Sequence, residues 1–154
     1  KAAGVIAQTP PYRVPRDLGY TIGSSILFPG DRVGRQMTIN GARGFHPRIA
    51  DRFDLTLECI RRHYAGQESP LTAVLERYAY FFELFVDFAG YVEFFLLQDL
   101  ADGRGAVRFF LPFGQFDQSP VPQNPDDYLA FRLASDAFIR ARNARIKADA
   151  RRRA

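Results

Sequence analysis

Apolar residues recur at helical spacing through the middle of the chain, from Ile49 to Phe85. At 100° per residue, Ile49, Phe53, Leu57, Ile60 and Tyr64 fall within about 80° of one another, and Asp51, Asp54, Glu58, Arg61 and Arg62 fill an arc of about 100° opposite. This pattern predicts a charged amphipathic helix with Pro47 in its first position and an end near Gly66. Ser69-Pro70 restarts helical structure, Leu71, Val74, Leu75, Tyr78, Phe82 and Phe85 carry its inner face, and Gly90 is expected to break it. Residues 91–100 are apolar on nearly all sides and are read as a further helix in preference to a strand. A last helix is predicted after the 119–125 loop, capped by Asp126, with Tyr128, Phe131, Phe138, Ile139 and Ile146 as its buried stripe.

Strands are expected elsewhere. Residues 20–28 are rich in β-formers and stop at Pro29-Gly30-Asp31, a turn signal, and residues 35–39 read as the returning strand of a hairpin. Residues 40–44 (Asn-Gly-Ala-Arg-Gly) read as a loop, and residues 106–111 as a strand after the Asp102-Gly103-Arg104-Gly105 turn. The expected fold class is α+β: a small antiparallel β-sheet packed by three to four helices around a single aromatic-rich core. The division follows as an irregular lead-in over residues 1–17 with Pro10, Pro11 and Pro15, one domain over 18–146, and a basic, frayed tail over 147–154.

Composition sharpens this picture at three points. With 47 % apolar residues, fifteen Phe and seven Tyr, disorder is excluded, and the ten Phe between residues 81 and 116 should supply most of the core. Asp87, Glu93 and Asp99 interrupt the most hydrophobic stretch, so no membrane-spanning helix is expected. A lone Cys59 on a predicted helix cannot form an internal disulfide; it reads as a buried inert thiol and fits a cytoplasmic location. The net charge of +4 is unevenly placed: residues 140–154 carry seven cations against one anion, and the rest is slightly acidic. Phosphate neutralisation by that tail would allow nucleic-acid contact, but a solvated helix end is the preferred reading.

Several reaction classes are removed by missing motifs. The chain has no G-x-x-x-x-G-K-[ST] loop, no G-x-G-x-x-G fingerprint and no G-x-S-x-G elbow. Two His, one Cys and no H-E-x-x-H pair argue against zinc, and neither a metal nor a cofactor is expected. Asp51, Asp54 and Glu58 are the weak candidates for general acid/base work, yet Arg61 and Arg62 beside them favour ionised, salt-bridged carboxylates. Asn40, Arg43, Arg61, Arg62 and Arg142 are the candidate ligand-binding set: residues 40–44 would let a backbone and a fork-shaped guanidinium approach a phosphate beside a helix start. Arg142 and Ser135 share the apolar stripe of the last helix, so Arg142 must be paired or aimed at an anion; a carboxylate such as Asp51 or Glu58 is the expected structural partner.

The segments Tyr20-Thr21-Ile22-Gly23, residues 40–44, residues 51–62, residues 90–100 and Ala141-Arg142-Asn143 resemble an uncharacterised family of bacterial hypothetical proteins, a domain of unknown function. The likeness runs from about Leu18 to Ile146. It implies no activity, fold or catalytic residue, but it does imply a further N-terminal segment in related chains, consistent with Lys1 as an internal start and able to dock on this domain. Three functions stay open: binding of a phosphate-bearing ligand such as a nucleotide or nucleic acid, acid/base catalysis by the charged helix, and non-catalytic protein interaction. The last would use the aromatic stretch 109–116 or a strand edge.

Overall fold

The computed structural model describes Gly4, Ala7, Leu18 and residues 21–102 and 105–154. The expected lead-in is described at Gly4 and Ala7, both helical, and at no other position before Leu18; Tyr20 and the Gly103-Arg104 half of the expected turn lie outside the described residues. Helix accounts for 56 % of the described structure. Among these residues there is no β-sheet, and the one extended pairing outside the helices is an isolated antiparallel bridge between Ala101 and Val107. The expected α+β class is therefore wrong. The helices are α1 (Ile39–Phe45), α2 (Phe53–Tyr64), α3 (Thr72–Arg77), α4 (Ala79–Phe82), α5 (Phe88–Phe94) and α6 (Pro125–Arg153), with short 3₁₀ turns at Ile22–Ser24, Val33–Arg35 and Glu83–Phe85.

The physical reason for the missing hairpin is visible in its carbonyls. Extended backbone is present at Ser25 and Arg32, but side chains occupy acceptors that a partner strand would have used. Arg142 takes the Gly23 and Ser25 carbonyls at 3.1 and 2.6 Å, Tyr78 takes that of Asp31, and Arg77 takes that of Met37 at 3.1 Å. The predicted return strand is also cut by a left-handed turn at Gly34 and Arg35, with φ of 63° and 62°. Ile39 then becomes the first residue of α1.

Backbone contacts divide the chain into two compact units. One comprises residues 1–26, 110–112 and 121–154, and the other residues 27–109 and 113–120. In the first, α6 starts on Asn124, whose side chain accepts the Asp127 amide at 2.8 Å, with Pro125 in the first turn. The cap is thus Asn124, two residues before the expected Asp126; the Asp127 carboxylate in turn accepts the Asn124 side-chain amide at 3.0 Å and the Gln123 backbone amide at 3.2 Å. Phe138 is buried and meets Phe110, which also contacts Phe131 at 5.7 Å. Residues 147–153 continue the helix.

The second unit is built around α2. Residues 52–60 are buried without interruption, so this helix buries Asp54 and Glu58 of its charged arc as well as its apolar stripe. It starts at Phe53 rather than at Pro47, because residues 47–51 form a turn in which Ala50 and Asp51 take φ of 49° and 59°. Its end matches the expectation: Gly66 at φ 65° lets the Gln67 amide reach the Arg62 carbonyl at 2.8 Å and the Gly66 amide reach His63 at 3.1 Å, a Schellman close. α1 replaces the predicted 40–44 loop, since Thr38 caps it by accepting the Gly41 amide and Ile39 buries its side chain completely. The break before α5 falls at Val86 and Asp87, not at Gly90. Gly90 sits inside α5, where a Cβ would lie 2.1 Å from the Phe85 carbonyl oxygen, so glycine is required there by close approach. Tyr64, Phe82, Phe85, Tyr91 and Phe95 form the aromatic centre, with Tyr91 and Phe95 rings 4.7 Å apart. The strand expected over 106–111 is reduced to the bridge at Val107.

Candidate functional site

The sequence candidates separate into three groups once their partners are known. Arg43 is a structural clamp. Its Nε donates to Thr56 Oγ1 at 3.0 Å, Nη2 donates to the Asp51 carbonyl at 2.9 Å, and Nη1 pairs with the Asp51 carboxylate at 2.6 Å and touches Asn40 at 3.4 Å. Burial pushes the guanidinium pKa down and the Asp51 charge opposes that shift. The clamp ties α1 to the turn entering α2. Arg43 and Asn40 are in helix here, so the phosphate-loop geometry expected of residues 40–44 does not form, and Asp51 is exposed.

Arg142 belongs to the other unit and takes main-chain carbonyls, with Gly23 and Ser25 as close acceptors. The expected partners Asp51 and Glu58 are not among these acceptors. Beside it Asn143 receives the Gly23 amide at 2.9 Å and donates to Thr21 at 2.9 Å. Gly23 is held so closely that a Cβ would sit 2.5 Å from the Asn143 side chain. The role of this pair is to fasten the 21–25 segment to α6.

Asp54 is wholly buried and meets the Arg52 guanidinium through both oxygens, and Arg52 also donates to the Pro120 carbonyl at 2.9 Å. Arg52 is a buried ion-pair partner that sequence reasoning missed, although its place two residues before Asp54 at a helix start was the available signal.

Glu58, Arg61 and Arg62 form the third group. Glu58 is 5 % exposed. Arg61 binds it through two nitrogens at 2.7 and 2.9 Å, and Arg62 adds a third contact at 2.8 Å. Burial alone would raise the Glu58 pKa; the Arg61 and Arg62 hydrogen bonds and charges outweigh it and hold the carboxyl below its ordinary value of 4.5. The hydrogen bond to Glu58 likewise raises the Arg61 pKa. Arg62 lies with its guanidinium carbon 4.9 Å from the Phe116 ring centre, which fixes its direction by cation–π attraction. Further donors go to Gln67 from Arg61 and to the Glu68 carbonyl from Arg62. Nη1 of Arg61 and Nη2 of Arg62 make no hydrogen bond among the described residues, and both side chains keep about a quarter of their surface in solvent.

These three residues line a cavity of about 330 Å³ together with Gly105, Ala106, Val107, Phe109, Phe113 and Gly114. Two guanidinium groups against one carboxylate leave that wall at a net +1. Of the 109–116 aromatic stretch, expected as an interaction surface, Phe109 and Phe113 line this cavity, and their rings pack at 4.5 Å. No periodicity argument joined the aromatics to the arginines, because they meet through a loop about fifty residues downstream.

Cys59 is fully buried and its thiol is pushed up to about 12 by burial, as expected for an inert side chain. Among the described residues no group of three or more His, Cys, Asp or Glu is placed to hold a metal. In the last turn of α6, Arg152 and Arg153 pair with Asp149. No described helix is long and apolar enough to cross a membrane.

Compared with known proteins, residues 1–146 match the model of a family described as a family of unknown function (DUF6994), a span that reaches further towards the N-terminus than the likeness starting at Leu18. No curated protein and no solved structure matches the chain.

Proposed function

The chain belongs to that family of unknown function, and we propose that it binds a small phosphate-bearing molecule in the cavity between Arg61, Arg62 and the Phe109–Phe113 ring pair. One observation carries the reading: two guanidinium groups share a single buried carboxylate, which leaves them a surplus positive charge and free donors at a hollow with aromatic walls. Glu58 orients both forks, and Phe116 holds Arg62 from behind. Such a site favours a dianion whose organic part is flat and apolar enough to lie on Phe109 and Phe113.

Acid/base catalysis has less support. A Glu58 carboxyl held ionised below 4.5 is a poor proton donor at neutral pH, and Asp54 is enclosed with Arg52. This reading rests on Arg61 and Arg62 and makes no use of Arg43 and Arg142, whose guanidinium groups are engaged within the fold, or of the exposed Asn40, none of which lines this cavity.

The test is calorimetric titration and thermal shift with phenyl phosphate, adenosine monophosphate and inorganic phosphate. Phenyl phosphate at a hundred times its dissociation constant is expected to add about 2.7 kcal/mol of stability, and its affinity should fall as salt rises. The doubly substituted Arg61→Gln, Arg62→Gln chain, shown folded by circular dichroism, should lose at least tenfold in affinity. Absence of binding by all three probes, or equal binding by the double variant, would overturn the proposal.

A further inference from the structure

An apolar platform faces solvent where the Glu83–Phe85 turn meets α5. The rings of Phe81, Phe85, Phe94 and Phe95 contact one another with centres 5.0–6.3 Å apart; Phe94 is 69 % exposed and the other three are half-buried. Leu84 and Val86 flank Phe85 in the chain and are 72 % and 88 % exposed. Val86 is strained as well. Its φ of 68° and ψ of −56°, with the Asp87 amide on the Phe85 carbonyl at 2.8 Å, make a γ-turn of positive φ, a conformation that suits glycine better than a β-branched residue. A valine here gives the single copy neither burial nor backbone ease, and its isopropyl group is left for a partner.

Charge identifies the occupant. From residue 78 to residue 102 the chain has five acids and no Lys, Arg or His. Glu83, Asp87 and Glu93, each next in the chain to a platform residue, are exposed and form no ion pair among the described residues. Two such platforms laid together would set acid against acid. The complementary surface is on the same chain, at the end of α6: Arg140, Ala144, Lys147, Ala148 and Arg151 are exposed and, at 100° per residue, fall within about 100° of one another. Lys147 and Arg151 form no ion pair among the described residues.

From the platform, its acidic border and this basic face together, we infer that copies of the chain associate, with the end of α6 of one copy lying on the Phe85–Phe94 platform of another. The alanine methyls and the aliphatic stems of Lys147 and Arg151 cover the rings, and their charged heads reach the acids at the border. Each copy carries one platform and one basic end, so the contact joins unlike surfaces and runs head to tail. It makes no use of the Arg61–Arg62 cavity.

The experiment is sedimentation velocity of the full chain at rising protein concentration, in low and in high salt. Association that grows with concentration and weakens at least tenfold in high salt is expected. Val86→Gly, which removes the isopropyl group and eases the positive φ, should keep the thermal midpoint of unfolding and weaken association at least tenfold. Charge reversal supplies the sharper test, with one chain carrying Glu83→Lys and Glu93→Lys and a second carrying Lys147→Glu and Arg151→Glu. Each alone should stay monomeric, and an equal mixture should associate again, because every reversed surface then meets its opposite on the other chain. All four side chains are exposed, so folding should survive, which circular dichroism checks. A chain that is monomeric at every concentration overturns the proposal. So does association that salt leaves unchanged or strengthens, the sign of platforms meeting each other, or a failure of the two reversed chains to associate when mixed.

Discussion

Glu58 is the residue on which the electrostatics of α2 depend. Removing its charge leaves two guanidinium groups facing each other around a neutral amide, so Glu58→Gln should destabilise the fold by about 2 kcal/mol in urea unfolding; solvent at Arg61 and Arg62 keeps the loss below that of a fully enclosed pair. The same residue sets the acid limb of stability. Its folded pKa lies below 4.5, so an unfolded chain takes up the proton first, and stability present above 4.5 is lost as pH falls towards the folded value. His63 and His46, which burial holds below 6.5, add an earlier decline that starts near that value. Glu58→Gln should flatten the decline below 4.5 and leave the earlier one in place; a curve of unchanged shape would disprove the assignment. Burial of Asp54 and Glu58 was not legible in the sequence. A charged arc looks the same on a helical wheel whether water or protein faces it.

At the scale of elements, chain punctuation was the most legible feature. The end of α2 near Gly66 was readable because a left-handed glycine is a local device. The start of α6 was readable to within two residues, and its cap gives a direct test: Asn124→Ala should cost about 1 kcal/mol in thermal unfolding, whereas Asp126→Ala should change little. Legibility failed where a local preference met a distant donor. Residues 20–28 have the composition of a strand, yet a strand exists only with a neighbour, and Arg142, Tyr78 and Arg77 took acceptors on which that neighbour would have depended. The Asn-Gly of residues 40–41 would favour a turn in isolation, but the Thr38 cap, the buried Ile39 and the Arg43 clamp outweigh it.

At the scale of the whole molecule, Cys59 offers a probe of cooperative opening. Its thiol is completely buried in α2 with a pKa near 12, so a thiol reagent should modify it only as fast as the surrounding unit unfolds, and labelling should accelerate steeply across the urea transition. Rapid labelling in native buffer would contradict the packing described for α2. The sequence by itself determined that the chain buries an aromatic core, where α2 and α6 end or begin, and that Cys59 points inward, because periodicity, caps and glycine turns act over a few neighbouring residues. Only the tertiary structure decided that no sheet forms among the described residues, that Arg43, Arg52 and Arg142 hold the fold together, and that Arg61 and Arg62 face a cavity with aromatic walls. Those outcomes turn on which donor reaches which acceptor across tens of residues, and a guanidinium carries the same charge in the sequence whether its partner is a carbonyl, a carboxylate or a ligand.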